Sequence, residues 1–305
     1  MRTSLLMLAL VLAAPLATAQ QPVAPAAAPP PPVQVVATKL GGNVYGIDGQ
    51  GGRMAALVGP DGVFLVDSQF AAVSDKLVAE IKKLSPSPLK FLVNTHVHGD
   101  HTGGNENFAK LGVTILGRPA LREQLLHPRP APGNGQVPPV APPLALPTVL
   151  FDNPLTIYID DETVQLVPLV PAHTDGDTAV KFVTADVLMT GDVFRSAGFP
   201  AAAVTNGGTV LGTLDALNTL ITLAGPATKV VPGHGPVTDK AALVAHRDML
   251  VTVRDRIAKQ LREGKTPDEI RASKPTADFE AKVGGPPAFI PQFVDMLIKE
   301  LTTGR

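Results

Sequence analysis

Four metal-competent side chains stand within six residues of the segment 94–105: His96, His98, Asp100 and His101. Imidazole nitrogens and carboxylate oxygens bind divalent ions such as zinc. If the preceding apolar strand continues, His96 and His98 project to one side of it. Asp100 and His101 then fall in a glycine-flanked loop, whose backbone freedom lets them turn toward a second point. The spacing predicts a metal site, with surface histidines in a polar loop as the alternative.

The composition leaves histidine and carboxylate as the available strong metal ligands. The 305 residues include no cysteine, which excludes disulfides, thiolate zinc sites, iron–sulfur clusters and cysteine nucleophiles. The sequence has 7 histidines, and five of them lie in the segment above or in two later glycine-containing segments. A thiol-free metal site is therefore predicted.

The segment 94–105 resembles the H-x-H-x-D-H motif of the metallo-β-lactamase superfamily, which its three histidines and one aspartate match in full. Three later segments are similar to further motifs of that family, in the same order. They are His173-Thr-Asp-Gly-Asp-Thr178, Gly191-Asp192 after the strand 187–189, and Pro232-Gly-His234-Gly235. The resemblance extends from about Gln34 to His246.

The resemblance implies a binuclear site with two Zn²⁺ per chain, with iron or manganese as alternatives. The implied ligands are His96, His98 and His173 on one ion, Asp100, His101 and His234 on the other, and Asp192 as a bridge together with a hydroxide. Two such cations lower the pKa of a shared water and polarise the scissile carbonyl or phosphoryl oxygen. Asp100 is also expected to orient that water or accept its proton.

Asp192 bears on the substrate that the resemblance implies. The β-lactam-hydrolysing members of the family have Cys or Ser at this position, whereas glyoxalase II-like thioesterases, lactonases and many other hydrolases keep Asp. The resemblance therefore favours hydrolysis of an ester, lactone or thioester bond. A genuine or promiscuous β-lactamase is the alternative. Phosphodiester or sulfur-redox chemistry and a non-catalytic metal-binding module rank lower.

Side chains that orient the ligands are expected around such a site. Asp67, at the end of the strand 63–66, matches the acidic residue of the family that supports the metal loop. We interpret it as a hydrogen-bond acceptor and not as a ligand, with an ordinary strand-end turn residue as the alternative. Four more polar residues are expected to hydrogen-bond ligands or loop amides, with solvated loop positions as the alternative: Thr95, Thr174, Asp177 and Thr178.

Substrate contacts must come from segments that pass over the metals. The proline-rich stretch 128–147 and the glycine- and alanine-rich stretch 194–208 are candidates, because long irregular segments in compact domains are often lids. Within the second stretch, Arg195, Phe199 and Asn206 are candidate substrate contacts. The alternative is a surface salt bridge for Arg195 and core packing for Phe199.

The elements that position these residues alternate between strands and helices. Short β-branched runs between glycine-rich turns over 34–70 predict a β-meander. Further strands are predicted at 90–93, 113–116, 155–159, 163–170, 179–183, 187–189 and 229–231, and helices at 75–84, 119–126, 212–223 and 239–263. This pattern indicates a mixed α/β (α+β) layered domain. The resemblance implies a four-layer αββα sandwich with the site at one end of the strands.

Two histidines lie outside the motifs. His127 opens the proline-rich stretch, and His246 falls on the long helix predicted at 239–263. We predict exposed surface positions for both. His127 would reach a substrate if the proline-rich stretch folds over the site.

The N-terminus has the three parts of a secretory signal. Arg2 precedes an apolar run of about 12 residues, and small residues occupy positions 17 and 19. The run is shorter than the roughly 20 residues of a membrane-spanning helix. We predict a signal peptide over 1–19, an Ala/Pro-rich linker over 20–33, and a hydrolase domain with C-terminal helices over 34–305. The expected location is periplasmic or secreted, with no stable membrane insertion after cleavage.

The charge balance bears on the partners. Lys and Arg number 26 against 27 Asp and Glu, a net charge of −1, so the basic excess that drives phosphate-backbone binding is missing. Nucleic acid is therefore not an expected partner, and a small-molecule substrate is. The sequence leaves the oligomeric state open.

Overall fold

The computed structural model describes residues 33–131, 135–284 and 289–304. The predicted signal peptide (1–19) lies outside these residues, as does the predicted linker (20–33) apart from Val33. The chain from Val33 onward forms one compact unit. None of the helices in the described ranges combines the length and apolar character that crossing a bilayer requires.

Two β-sheets occupy the centre of the described chain. The first has seven strands in chain order: β1 (Val36–Gly41), β2 (Val44–Asp48), β3 (Met54–Gly59), β4 (Gly62–Val66), β5 (Leu89–Val93), β6 (Thr114–Gly117) and β7 (Val149–Leu150). The second has five strands, arranged in the reverse of chain order: β8 (Leu155–Ile159), β9 (Glu162–Pro168), β10 (Thr178–Phe182), β11 (Val187–Met189) and β12 (Lys229–Val231). Strands β1 to β4 pair antiparallel, which confirms the predicted meander.

Helices lie between the strands and after them. In chain order they are α1 (Ser74–Leu84), α2 (Gly99–Thr102), α3 (Asn105–Ala109), α4 (Pro119–Leu126), α5 (Val210–Leu223), α6 (Lys240–Arg262), α7 (Pro267–Ala272), α8 (Ala277–Val283) and α9 (Phe289–Thr303). Helix α6 begins after Asp239, whose side chain accepts a hydrogen bond from the amide of Ala242 at 3.0 Å. Such a cap satisfies one of the unpaired amides of a helix start.

Three apolar clusters define four layers. Successive side chains of a strand point to opposite faces of its sheet. Between the sheets, Phe64 of β4 packs against Phe182 of β10, with ring centroids 6.3 Å apart. On the outer face of the first sheet, Leu65 of β4 joins a cluster with Leu77 of α1. On the outer face of the second sheet, Leu188 of β11 joins a cluster with α5, α6 and α9. The predicted αββα sandwich is confirmed.

The strand directions bring several loops to one end of the sandwich. Strands β4 and β5 run parallel, so Asp67 and the loop 94–98, which follow them, leave the sheet at the same edge. Strands β11 and β12 also run parallel and lead into Asp192 and His234. Strand β10 is antiparallel to β11, so the loop before it, which carries His173, lies at the matching end.

The structure differs from the sequence predictions at two places near these loops. Strand β5 ends at Val93, so His96 and His98 lie in a loop and not on a continued strand. Asp100 and His101 lie on the one-turn helix α2, where an open loop was expected. The His101 ring nevertheless lies close to the His96 ring, with centroids 4.1 Å apart.

His246 is buried, so the prediction that it lies on the surface is wrong. It is 8% exposed, and its ring packs edge-on against Phe194 at 5.3 Å. The reason is its place on α6, in line with the buried residues Leu243, Leu250 and Val253. His127 is exposed, as predicted, with 75% of its side chain accessible.

Candidate metal centre

Seven histidine and aspartate side chains converge at the end of the sandwich where these loops meet. They form overlapping groups whose ligand atoms lie within 4.8 Å of one another: His96, His98 and His173; His96, His101 and Asp192; and Asp100, His101 and His234. Five of the seven also line a cavity of about 580 Å³. The arrangement offers two neighbouring sets of nitrogen and oxygen ligands.

The first set consists of histidines whose rings are fixed by hydrogen bonds. His98 lies with Nε2 3.3 Å from Oδ1 of Asn206, so this nitrogen carries the proton and Nδ1 faces the cluster. His173 hydrogen-bonds through Nδ1 to the carbonyl of Ala201, which leaves Nε2 for the cluster. These two inward nitrogens, Nδ1 of His98 and Nε2 of His173, are 2.9 Å apart.

The second set mixes histidine with carboxylate. Nε2 of His234 lies 3.0 Å from Oδ2 of Asp100 and 3.3 Å from Oδ2 of Asp192. Nε2 of His101 lies 3.3 Å from Oδ1 of Asp192 and 3.7 Å from Oδ2 of Asp100. Asp192 also approaches Nε2 of His173 at 3.8 Å. Its carboxylate therefore stands between the two sets.

Asp67 connects the two ligand sets through hydrogen bonds. Its Oδ2 contacts Nδ1 of His101 at 2.7 Å and accepts a hydrogen bond from the Thr95 hydroxyl at 2.8 Å. The same hydroxyl oxygen lies 3.1 Å from Nδ1 of His96. Because the hydroxyl proton goes to Asp67, the His96 ring donates to Thr95. Both rings thus present Nε2 to the cluster.

Burial keeps the first set neutral. Burial, helped by the neighbouring His101 and His173, lowers the pKa of His96 well below its ordinary value. Burial also lowers the pKa of His98, and that of His173 to about 4. A neutral imidazole keeps the lone pair that a metal ion needs.

The second set holds opposite charges close together. Burial disfavours a charged His101, but the carboxylates of Asp67 and Asp192 outweigh it and raise its pKa well above the ordinary value. Hydrogen bonds to Asp100 and Asp192 raise the pKa of His234 to about 9. Burial raises the pKa of Asp192, but His101 and His234 outweigh it and hold this pKa well below the ordinary value. The carboxylates of Asp67, Asp100 and Asp192 therefore favour a positive charge among the ligand atoms of the second set.

The cluster fits a metal pair on its own geometry. Within the described residues, three buried atoms of the cluster have no hydrogen-bond partner: Nε2 of His96, Nε2 of His101 and Oδ1 of Asp192. Such atoms are costly to bury unless they meet a ligand or an ion. Ligand atoms on one tetrahedral zinc ion lie roughly 3.4 Å apart. The separations of 2.9 to 3.8 Å given above bracket that value.

Two glycines that sequence reasoning missed allow close packing around the ligands. A Cβ at Gly233 would lie 2.1 Å from Oδ1 of Asp192, and a Cβ at Gly52 would lie 2.1 Å from the His101 ring. A side chain at either position would displace a ligand. Gly233 was visible as part of the Pro-Gly-His-Gly segment. Gly52 lies in a glycine-rich turn far from the motifs and carried no such signal.

The loop before β10 is ordered by its own polar side chains. Asp177 accepts hydrogen bonds from the amides of His173 and Thr174 at 2.7 and 2.9 Å and from the Thr174 hydroxyl at 2.7 Å. Burial raises the pKa of Asp177 to about 7, although these hydrogen bonds oppose the rise. The amide of Thr178 donates to the carbonyl of Thr95 at 2.8 Å, which joins this loop to the loop after β5.

The three candidate substrate contacts lie in different surroundings. Arg195 lines the cavity at the metal centre. Asn206 is buried and contacts His98, so it positions a ligand. Phe199 is 3% exposed and packs against Phe293 with ring centroids 5.2 Å apart. Its prediction as a substrate contact is corrected to core packing.

Other parts of the cavity wall carried no motif in the sequence. Helix α9 contributes Phe289, Gln292 and Met296, and the turn after β4 contributes Phe70. Phe70 is 40% exposed. Helix α9 at the C-terminal end therefore forms part of the cavity wall.

Comparison with known proteins agrees with the motifs. Residues 48–234 match the metallo-beta-lactamase superfamily, which confirms the resemblance. A search of curated protein sequences finds no significant match.

Solved structures with a similar fold include lactamases and a sulfatase. A metallo-beta-lactamase from Pontibacter korlensis has a TM-score of 0.60 and 20% identity, covering 72% of this chain and 99% of that one. The DIM-1 metallo-beta-lactamase has a TM-score of 0.58 and 17% identity, covering 72% and 99%. The stereoselective inverting sec-alkylsulfatase Pisa1 from Pseudomonas sp. has a TM-score of 0.60 and 17% identity, covering 85% of this chain and 48% of that one. This chain thus spans about half the length of the sulfatase, and identities this low show the fold alone.

Proposed function

Because the chain belongs to the metallo-beta-lactamase superfamily, whose members are metal-dependent hydrolases, we propose that it is an exported binuclear zinc hydrolase for an ester, lactone or thioester bond. One observation carries the proposal: the seven His and Asp side chains converge at a cavity with their ligand atoms within reach of one another. Iron and manganese are the alternatives for the native metal. The substrate is a small molecule.

The ligand roles follow the two sets. His96, His98 and His173 would hold one ion, Asp100, His101 and His234 the other, and Asp192 lies where it would contact both. When bound, such a pair supplies a water of lowered pKa and an electrophilic contact for the carbonyl oxygen. The protein then needs to orient the water and the substrate, and no side chain has to act as nucleophile.

Asp100 is the residue we assign to the water. Its side chain is 24% exposed, and its Oδ2 lies 3.0 Å from Nε2 of His234. Burial raises its pKa, but the hydrogen bond from His234 and the charge of His101 outweigh burial and lower it. A carboxylate held in its ionised form can orient a water by accepting a hydrogen bond and can take up a proton.

Arg195 is the residue we assign to the substrate. It lines the cavity beside Asp192 and His234. Among the described residues, its guanidinium has neither a hydrogen-bond nor an ion-pair partner, which argues against the surface salt bridge considered above. A free guanidinium at this place would bind a carboxylate or carbonyl oxygen of the substrate.

The test combines metal analysis with a panel of substrates. Purified mature protein should contain two metal ions per chain by elemental analysis. It should hydrolyse p-nitrophenyl esters, lactones or S-lactoylglutathione faster than nitrocefin. A secondary alkyl sulfate belongs in the panel because one protein of similar fold is an alkylsulfatase. Nitrocefin as the dominant substrate would establish the β-lactamase alternative instead.

Variants separate the metal mechanism from an unrelated activity. Asp100→Ala and His234→Ala should lose metal and activity together, while His127→Ala, a change of an exposed histidine outside the site, should keep both. Fewer than one bound metal per chain, or full activity in either site variant, would contradict the proposal.

Export is proposed from the sequence pattern at the N-terminus. The expected mature protein begins at Gln20 and is recovered from the periplasm or the medium. N-terminal sequencing of the fractionated protein tests this, and an intact Met1 in the cytoplasm would refute it.

A further inference from the structure

A second cavity lies beside the metal centre, under the proline-rich stretch. Its volume of about 300 Å³ is at the lower end of the range for small-molecule sites. The ligand-bearing loop, from Val97 to Thr102, forms its floor, and Leu125 of α4 forms one side. Pro128, Pro139 and Ala141 form its roof.

The roof is attached on both sides of the cavity. The amide of Ala141 donates to the carbonyl of Leu125 at 3.0 Å, and the Asn105 side chain donates to the carbonyl of Ala145 at 3.0 Å. Next to Pro128, Arg129 pairs with Asp175 at 3.3 Å. Prolines fix the backbone angle φ, so holding the roof residues Pro128 and Pro139 in place costs little entropy. The cavity is therefore preformed.

The polar side chains around the cavity are already engaged. Their contacts are Thr102 with the carbonyl of Val97 at 3.1 Å, Glu106 with Lys110 at 2.9 Å, Gln124 with Asn206 at 2.6 Å, Arg129 with Asp175 and His98 with Asn206. The rest of the lining is valine, leucine, proline, alanine and glycine. A polar occupant would lose hydrogen bonds to water and find few in return. The chemistry therefore favours an apolar occupant.

The two cavities adjoin. His98, Gly99 and Ala131 line both of them. These shared residues place the second cavity next to the metal ligands, on the far side of His98, at a distance that a substrate with its carbonyl at the ligands could span.

We propose that the second cavity binds the acyl chain of the substrate, so that the enzyme prefers medium-chain acyl esters to acetate esters. The inference rests on the proposed function and specifies its substrate. Each methylene buried in an apolar site strengthens binding about fourfold. Part of that gain is expected to appear in kcat/KM.

The first experiment measures the chain-length dependence of hydrolysis. Metal-loaded enzyme is assayed with p-nitrophenyl acetate, butyrate, hexanoate and octanoate. We expect kcat/KM to rise from acetate to hexanoate by at least about tenfold, below the limit set by fourfold for each added methylene. Equal kcat/KM across the series would overturn the inference.

Substitutions in the roof test whether the chain-length preference arises in the second cavity. Ala141→Phe fills the cavity and Ala141→Asp places a charge in it, so both should abolish the preference while acetate hydrolysis is retained. Val140→Phe is the matched control, because Val140 is 62% exposed and lies outside the lining of the cavity. A preference that survives in both Ala141 variants would place the acyl chain elsewhere and overturn the inference.

A binding measurement separates the inference from the proposed function. Calorimetric titration of metal-loaded wild type with acetate and with octanoate should show octanoate binding at least about tenfold more tightly, and Ala141→Phe should remove the difference. If this holds while no ester is hydrolysed, the cavity assignment stands and the proposed reaction fails. If esters are hydrolysed and the two acids bind equally, the reaction stands and the cavity assignment fails.

Discussion

The floor and the walls of the two neighbouring cavities present different chemistry. The floor is the set of loops that carries the seven metal-competent side chains. Its ring orientations are fixed by buried hydrogen bonds, such as those to Asp67, Thr95 and Asn206. The walls are helix α9 at the metal cavity and the described parts of the proline-rich stretch, 128–131 and 135–147, chiefly at the second cavity. They contribute mainly apolar or half-exposed side chains.

This difference implies that the floor determines the reaction and that the walls determine which substrates react. Rigidly oriented ligands define one reaction at one point, and a hydrogen-bonded floor leaves little freedom for change. Mainly apolar walls decide which molecules reach that point. Changes to the floor should therefore affect all substrates alike, and changes to the walls should redistribute activity among substrates.

Removing the carboxylate between the two ligand sets should have the largest effect. Asp192→Ala deletes the group that lies near His101, His173 and His234. Activity on every substrate of the panel should fall by more than about 100-fold, beyond the effect of losing a group that only orients a ligand. Metal content should fall in the same samples by elemental analysis. A loss of activity on only one substrate would contradict the assignment of the reaction to the floor and of selectivity to the walls.

Replacing Asp67, whose carboxylate supports the ligand histidines, should have the next largest effect. Asp67→Asn keeps the size of the side chain, and Asn tolerates the positive φ of 64° at this position. The loss of one carboxylate acceptor should weaken metal binding by about 10- to 100-fold. Competition with a chelator measures the change.

A turn aspartate provides the matched control for Asp67. Asp161→Asn makes the same exchange at an exposed residue with φ of 57°, and metal affinity should stay at the wild-type value. Unchanged metal affinity in Asp67→Asn would show that the hydrogen bonds of the floor do not fix the ligands.

A buried histidine outside the floor gives a third, smaller effect, on stability. Burial lowers the pKa of His246 to about 4 in the folded protein, against about 6.5 in the unfolded chain. The unfolded chain thus binds more protons between these values, so stability is lost as the pH falls from 6.5 toward 4. At pH 5 the loss is about 2 kcal/mol.

His246→Leu should remove this acid sensitivity. Urea unfolding at pH 7 and pH 5 should show a smaller drop in the free energy of unfolding than in wild type, with metal content unchanged. His127→Leu, at an exposed histidine, should keep the wild-type drop. An equal drop in wild type and His246→Leu would contradict the assignment of the acid sensitivity to His246.

Weakening the attachment of helix α9, one of the walls, should have the smallest effect. The Glu300 carboxylate of α9 accepts hydrogen bonds from the amides of Val210 and Leu211, both at 2.8 Å, at the start of α5. Glu300→Gln removes a negative charge from a helix N-terminus, which costs about 1 kcal/mol. Metal content should not change, while KM should rise for substrates that reach Phe289 and Met296.

An exposed glutamate serves as the control for Glu300. Glu263→Gln alters a side chain at the end of α6 that is 46% exposed, so thermal unfolding and KM should both match wild type. Loss of metal in Glu300→Gln would mean that α9 belongs to the floor.

Residue types and spacing were enough to predict a metal site at His96, His98, Asp100 and His101, and the resemblance to the family added His173, Asp192 and His234. Histidine clusters are informative in this sequence. The strand pattern predicted a mixed layered domain, and the resemblance implied its two sheets. The orientations of the histidine rings could not be predicted from the sequence, because they depend on hydrogen-bond partners that are distant in the chain. Asn206 is 108 residues from His98. Ala201 acts through its backbone carbonyl, which residue type does not reveal.

The errors have physical causes of the same kind. His246 was predicted on the surface as a histidine outside the motifs, although its spacing from Leu243 and Leu250 places it on the buried side of α6. Phe199 was considered a substrate contact because it lies in an irregular segment, but such segments also contribute core residues. The part played by α9 depends on how the end of the chain folds back, which local patterns do not encode.

The shared oxygen of Asp67 has a thermodynamic consequence. One atom, Oδ2, accepts from both the His101 ring and the Thr95 hydroxyl that holds His96. A shift of either ring is transmitted to the other through this atom, so occupancy of the two ligand sets forms one linked equilibrium. By reciprocity, whatever factor the first ion adds to the affinity of the second, the second adds to the first.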